Sequence, residues 1–72
     1  MNKFVERLRE SLKQNAISQS ELARRLKMSH QGVNDYCMGR AEPNFDTLLK
    51  ISKILNETVD YLLGAEEFQF DF

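Results

Sequence analysis

Apolar residues recur along this chain at helical spacing, in five separate stripes. Phe4, Val5, Leu8 and Leu12 make the first, Leu22, Ala23 and Leu26 the second, and Val33, Tyr36 and Cys37 the third. Phe45, Leu48, Leu49, Ser52 and Leu55 make the fourth, widened by Ile51 and Ile54. A stripe that wide predicts a helix buried on more than one side. Val59, Leu62 and Leu63 make a short fifth.

Boundary signals separate the stripes. Ser18 with Glu21 three residues on is a capping box, and Ile17 with Leu22 can close a hydrophobic staple around it. Ser29 repeats the device, with Met28 and Val33 as the staple pair. Asn44 after Pro43 and Thr58 are N-cap types. Gly39 and Gly64 stand where helices should stop. The pattern predicts helices near 2–14, 18–26, 29–37, 44–55 and 58–63, an all-α fold of five helices. Only Lys27 and Met28 separate Leu26 from Ser29. Two short helices joined so tightly must cross steeply, at roughly 90–120°. Ala23 lets their backbones approach, and Val33 is expected to pack on Leu22 and Leu26.

The stretch Ser18–Gly39, SQSELARRLKMSHQGVNDYCMG, resembles the lambda-repressor and Cro type of helix-turn-helix, the xenobiotic-response-element family. The likeness is carried by Ser18, Gln19, Glu21, Leu22, Ala23, Leu26, Ser29, Val33 and Gly39, with RLRESL before them and EPNFDTLLKISKILNETVDYLLG after. It covers about residues 4–64. Where the family commonly has an arginine and a glutamate in a partly buried ion pair, this chain has Leu12 and Cys37. Losing one charge would strand the other at roughly 3–5 kcal/mol, whereas exchanging both for apolar groups can be neutral. The paired loss therefore fits the same packing. Lys27 replaces a common glycine at the turn, at a cost on the order of 1 kcal/mol if its φ is positive.

The resemblance implies a third helix that enters the major groove of double-stranded DNA. Its outward face is expected to carry Ser29, His30, Gln31, Asn34, Asp35 and Met38. Gln31 and Asn34 have the donor and acceptor groups that pair with adenine, His30 can donate to guanine or phosphate, and Asp35 can accept from cytosine while repelling phosphate. Gln19 is implied to touch phosphate and to brace the next contact residue. Arg40 and Asn44 flank the start of the fourth helix as further phosphate contacts.

Composition tempers this picture without changing it. The 72 residues are 42% hydrophobic and 29% charged, an ordinary globular balance with room for one domain. Net charge is −1, short of the basic footprint usual in a nucleic-acid binder. The charge is unevenly spread. All ten Lys and Arg lie before Gly64, beside eight of the eleven acids, while residues 65–72 hold three acids and no base. No run of residues is long and apolar enough to span a membrane, and MNKFVERLRE lacks the apolar core of a secretory signal. The lone Cys37 forbids an internal disulfide and suits a reducing cytoplasm. His30 and Cys37, seven apart with no second ligand pair, do not make a zinc site. No glycine-rich phosphate loop or acid–base pair suggests an enzyme, and no cofactor is implied.

The reading divides the chain into a DNA-binding domain, 1–64, and an acidic-aromatic tail, 65–72. In the tail Phe68, Phe70 and Phe72 alternate with Gln69 and Asp71. With Tyr61 they are expected to pack against a second subunit, forming a homodimer on a palindromic operator. The function expected is a sequence-specific, prokaryotic or phage transcription regulator, a repressor. Two alternatives stay open: an antitoxin whose tail binds a protein partner, and an interaction module that keeps the fold without DNA binding.

Overall fold

Each expected helix forms, and four of the five start on the side chain that the sequence marks. In a computed structural model, which describes residues 2–68, the helices are α1 (Phe4–Gln14), α2 (Gln19–Leu26), α3 (His30–Cys37), α4 (Phe45–Leu55) and α5 (Val59–Leu63), followed by a 3-10 turn at Ala65–Glu67. The side chains of Ser18, Ser29, Asn44 and Thr58 accept hydrogen bonds from the backbone N–H groups of Glu21, Gly32, Thr47 and Tyr61, at 2.8–3.1 Å. Each bond satisfies a donor that the first helical turn leaves without a partner. The return half of the capping box is not made. The Glu21 carboxylate turns forward to Arg24 and Arg25 instead. α1 starts later than expected because Asn2 takes the Phe4 N–H at 3.0 Å and the Lys3 N–H bonds the Leu63 carbonyl at 3.1 Å.

The helix ends share one device. Ala16, Lys27, Gly39, Asn56 and Gly64 all have positive φ, between 55° and 76°. At the first four, paired backbone bonds fold the chain back on the last turn. At Lys27, for example, its own N–H reaches the Arg24 carbonyl and the Met28 N–H reaches Ala23. Two of the five are the expected glycines, and Lys27 pays the left-handed strain anticipated for it.

The core holds Phe4, Leu8 and Leu12 of α1, Leu22, Ala23 and Leu26 of α2, Val33 and Cys37 of α3, Leu48, Ile51 and Leu55 of α4, and Leu62 of α5. Burying one such leucine fully contributes about 1.5–3 kcal/mol. α2 packs most extensively on α3, and α1 on α5. Leu12 and Cys37 are both buried, so no charge is stranded between α1 and α3. Burial pushes the Cys37 thiol up from its ordinary pKa.

α4 corrects the expectation drawn from its wide stripe. Leu48, Ile51, Ser52 and Leu55 face inward, but Phe45 is 86% exposed and Leu49 52%. The helix is buried on one side only, because α2 and α5 cover that side and none of the other described helices packs extensively on the opposite one. No helix among the described residues is long and apolar enough to cross a membrane.

Candidate nucleic-acid interface

α3 lies with Val33 and Cys37 in the core and His30 and Gln31 exposed. This division follows from the helical period, since residues three and four apart share a face. Tyr36 is half-buried and packs against the core cluster. Asn34 and Asp35 sit at the border between the two faces, half-buried, and Met38 is exposed at the far end.

Two hydrogen-bonded groups organise the outward side chains. The Asn34 amide Nδ2 donates to Gln19 Oε1 at 3.1 Å, tying the middle of α3 to the first residue of α2. Gln19 is left with amide N–H donors, beside backbone N–H groups at the start of α2 that favour an anion. The Gln31 Nε2 donates to Asp35 Oδ1 at 2.9 Å, and Arg40 Nη1 reaches the same oxygen at 3.2 Å. The orientation of the Gln31 amide is fixed by chemistry, because a carboxylate can only accept. Arg40 in turn offsets the charge that Asp35 would otherwise present to phosphate.

The remaining candidates are placed apart from these groups. His30 is exposed at the first position of α3. The Ser29 hydroxyl oxygen accepts one bond in capping α3 and the Asn44 amide oxygen one in capping α4, and both side chains keep their donor hydrogens for another partner. The Tyr61 ring lies under the Arg7 guanidinium, 4.4 Å from it. Phe68 is half-exposed, while Phe70 and Phe72 lie outside the described residues.

A clasp between the start of α1 and the chain from α5 onward was not anticipated. Arg7 is 8% exposed and donates to the Tyr61 carbonyl, Glu66 Oε1 and Glu67 Oε2, each at 2.8 Å. Lys3 Nζ pairs with Glu67 at 2.9 Å. Two acids of the tail are thus bound to α1. The Glu66 carboxyl is held below its usual range by its own backbone N–H and by Arg7, and Glu67 by the hydrogen bond from Lys3. The sequence carried a hint in the opposite charges of the two segments, but nothing local that paired them. Arg9 was missed as well. It donates to the Cys37 carbonyl at 3.1 Å, a cation at the end of α3 where the dipole favours one. Among the described residues no cluster of His, Cys, Asp and Glu could hold a metal ion.

Comparison with known proteins gives a consistent result. A family model described as helix-turn-helix matches residues 8–62. The chain is 40% identical over 68 residues to the SPbeta prophage-derived HTH-type transcriptional regulator YonR of Bacillus subtilis, covering 94% of this chain and 63% of that protein. It is 36% identical over 61 residues to the HTH-type transcriptional regulator ImmR of the same organism, covering 85% and 48%. The chain therefore spans between about half and two thirds of these curated relatives. In fold it is similar to a transcriptional regulator from Listeria innocua, with a TM-score of 0.85 at 21% identity over all of this chain and 65% of that one.

Proposed function

The chain belongs to the helix-turn-helix family, and from that premise we propose that it is a sequence-specific DNA-binding transcription regulator that places α3 in the major groove. The observation that carries this reading is the bracing of α3. Its outward amides are held by Gln19 and Asp35 rather than left free to rotate. A side chain fixed before binding loses less entropy when it meets a base, where each good contact discriminates by about 1–3 kcal/mol.

In this reading Gln31 and Asn34 read base edges, with His30 and Asp35 beside them. Ser29, Gln19, Arg40 and Asn44 hold phosphates from the starts of α2, α3 and α4. The near-neutral charge of the chain implies few phosphate contacts and modest non-specific affinity. The protein acts in the cytoplasm of a bacterium, without a cofactor, as a homodimer on a palindromic operator. Two α3 helices about 34 Å apart match successive turns of the duplex. Occupying the operator excludes polymerase, so the regulator is a repressor. Residues 1–64 supply DNA binding, and the tail supplies the second-subunit contact through Tyr61, Phe68, Phe70 and Phe72. The exposure of Phe68 supports that assignment.

The test is a selection from random duplex oligonucleotides with the purified protein, with its mass in solution measured alongside. A palindrome with half-sites one helical turn apart and a dimeric mass are expected. Absence of enrichment at low salt would remove the reading. A chain truncated after Gly64 that still formed a stable dimer would remove the tail's share in assembly.

A further inference from the structure

We propose that Asp35, held by Gln31 and Arg40, is a base-specificity determinant that selects cytosine on the strand it faces. The inference rests on the DNA-binding reading above and extends it to the chemistry of one position. Asp35 Oδ1 accepts both bonds, from Gln31 Nε2 at 2.9 Å and from Arg40 Nη1 at 3.2 Å. The second carboxylate oxygen keeps its acceptor capacity. The Gln31 amide, with its nitrogen turned to Asp35, has its carbonyl oxygen turned away. The two side chains together therefore offer acceptors one turn apart on α3, at its second and sixth positions.

Acceptors in the major groove are matched by exocyclic amines, adenine N6 and cytosine N4. They are opposed by guanine O6 and N7 and by thymine O4. For Asp35 adenine is the poorer match, because its N7 acceptor lies beside the amine and is repelled by the carboxylate. Cytosine presents the N4 amine without a neighbouring acceptor. A lone carboxylate in the groove would be expelled by phosphate. Here the Arg40 guanidinium supplies the compensating charge from outside α3. Gln31 keeps one N–H and its carbonyl oxygen, enough to pair with adenine at a neighbouring position.

The experiment compares the parent chain with Asp35→Ala and Asp35→Asn in the same random-duplex selection. It then measures binding by fluorescence anisotropy to the selected duplex and to one in which a pyrimidin-2-one, lacking the 4-amino group, replaces the selected cytosine. Circular dichroism checks that each variant is folded. The parent is expected to enrich cytosine at one position per half-site and to bind the amine-less duplex about tenfold more weakly. Asp35→Ala should bind both duplexes alike, and Asp35→Asn should shift the preference toward adenine. Parent-like cytosine preference in Asp35→Ala, or indifference of the parent to the missing amine, would overturn the proposal while leaving DNA binding intact. Failure of the parent to bind any duplex at low salt would overturn the DNA-binding reading and this inference with it.

Discussion

Lys27→Gly should make the protein more stable, although it removes a side chain and gains no contact. Lys27 has φ 57° and ψ 44° at the junction of α2 and α3, with its side chain exposed. A residue with a Cβ costs roughly 1–2 kcal/mol in that left-handed conformation. Glycine removes the clash but loses more freedom on folding, at roughly 0.5–1 kcal/mol. The favourable charge of Lys27 at the end of α2 is replaced in part by Arg24 and Arg25, which lie in the same last turn. The net gain is about 0.5–1 kcal/mol. In a domain of 72 residues that raises the melting temperature by about 3–6 °C. Reversible thermal unfolding followed by circular dichroism measures it, with urea titration as a second route. Gly39→Ala and Gly64→Ala run the argument backward. At Gly39 an added Cβ would find only Val5 Cγ2 at 3.5 Å, so the strain acts alone. At Gly64 it would also meet Lys3 Cγ at 2.9 Å, so the loss should be larger. A Lys27→Gly protein that melts at or below the parent, with unchanged secondary structure, would refute the reasoning.

Leu62→Ala, at a fully buried position, should cost about 2–5 kcal/mol and leave a domain this small largely unfolded. Phe45→Ala should change stability by no more than about 0.5 kcal/mol, because that ring is exposed; chemical denaturation separates the two outcomes. Glu66 and Glu67 have depressed carboxyl pKa values in the folded chain. Their stabilising contribution is present above the ordinary glutamate range and is lost as pH falls through it and below. A Glu66→Gln, Glu67→Gln double variant should therefore lose less stability than the parent between neutral pH and acid, as thermal melts across that range would record. Gln19→Ala should weaken binding to the selected duplex about tenfold while hardly moving the melting temperature, since it unties Asn34 without opening the core. Equal losses on selected and random duplexes would instead assign Gln19 to phosphate alone.

The local grammar of the chain was legible without a structure. Ser18, Ser29, Asn44 and Thr58 cap the N–H three residues on, a contact contained within one turn. The inward positions of α1, α2 and α3 follow a period that the chain carries in itself. So does the polar character of His30 and Gln31 on the outer face and of Asn34 and Asp35 at its border. The five-helix fold followed from these features together, because each helix had apolar surface to bury. The left-handed closures at Ala16 and Asn56 were not legible. Neither residue is a glycine, and their geometry is imposed by the paired backbone bonds that turn each helix end.

Tertiary structure decided what distance along the chain conceals. Phe45 and Leu49 are apolar, yet they lie outside because burial depends on which helices arrive, and those that arrive cover only one side of α4. Arg7 lies on the first apolar stripe as a charge with no local partner. Its partners, Tyr61, Glu66 and Glu67, come from more than fifty residues away once α5 docks on α1. Asn34 finds Gln19 for the same reason, because α3 packs on α2. The sequence determined which side chains of α3 are polar and turn away from the core, since periodicity and composition are local. Which of them are braced, and by which partner, was decided only when the helices packed, because a hydrogen bond needs two groups within about 3 Å wherever they lie in the chain.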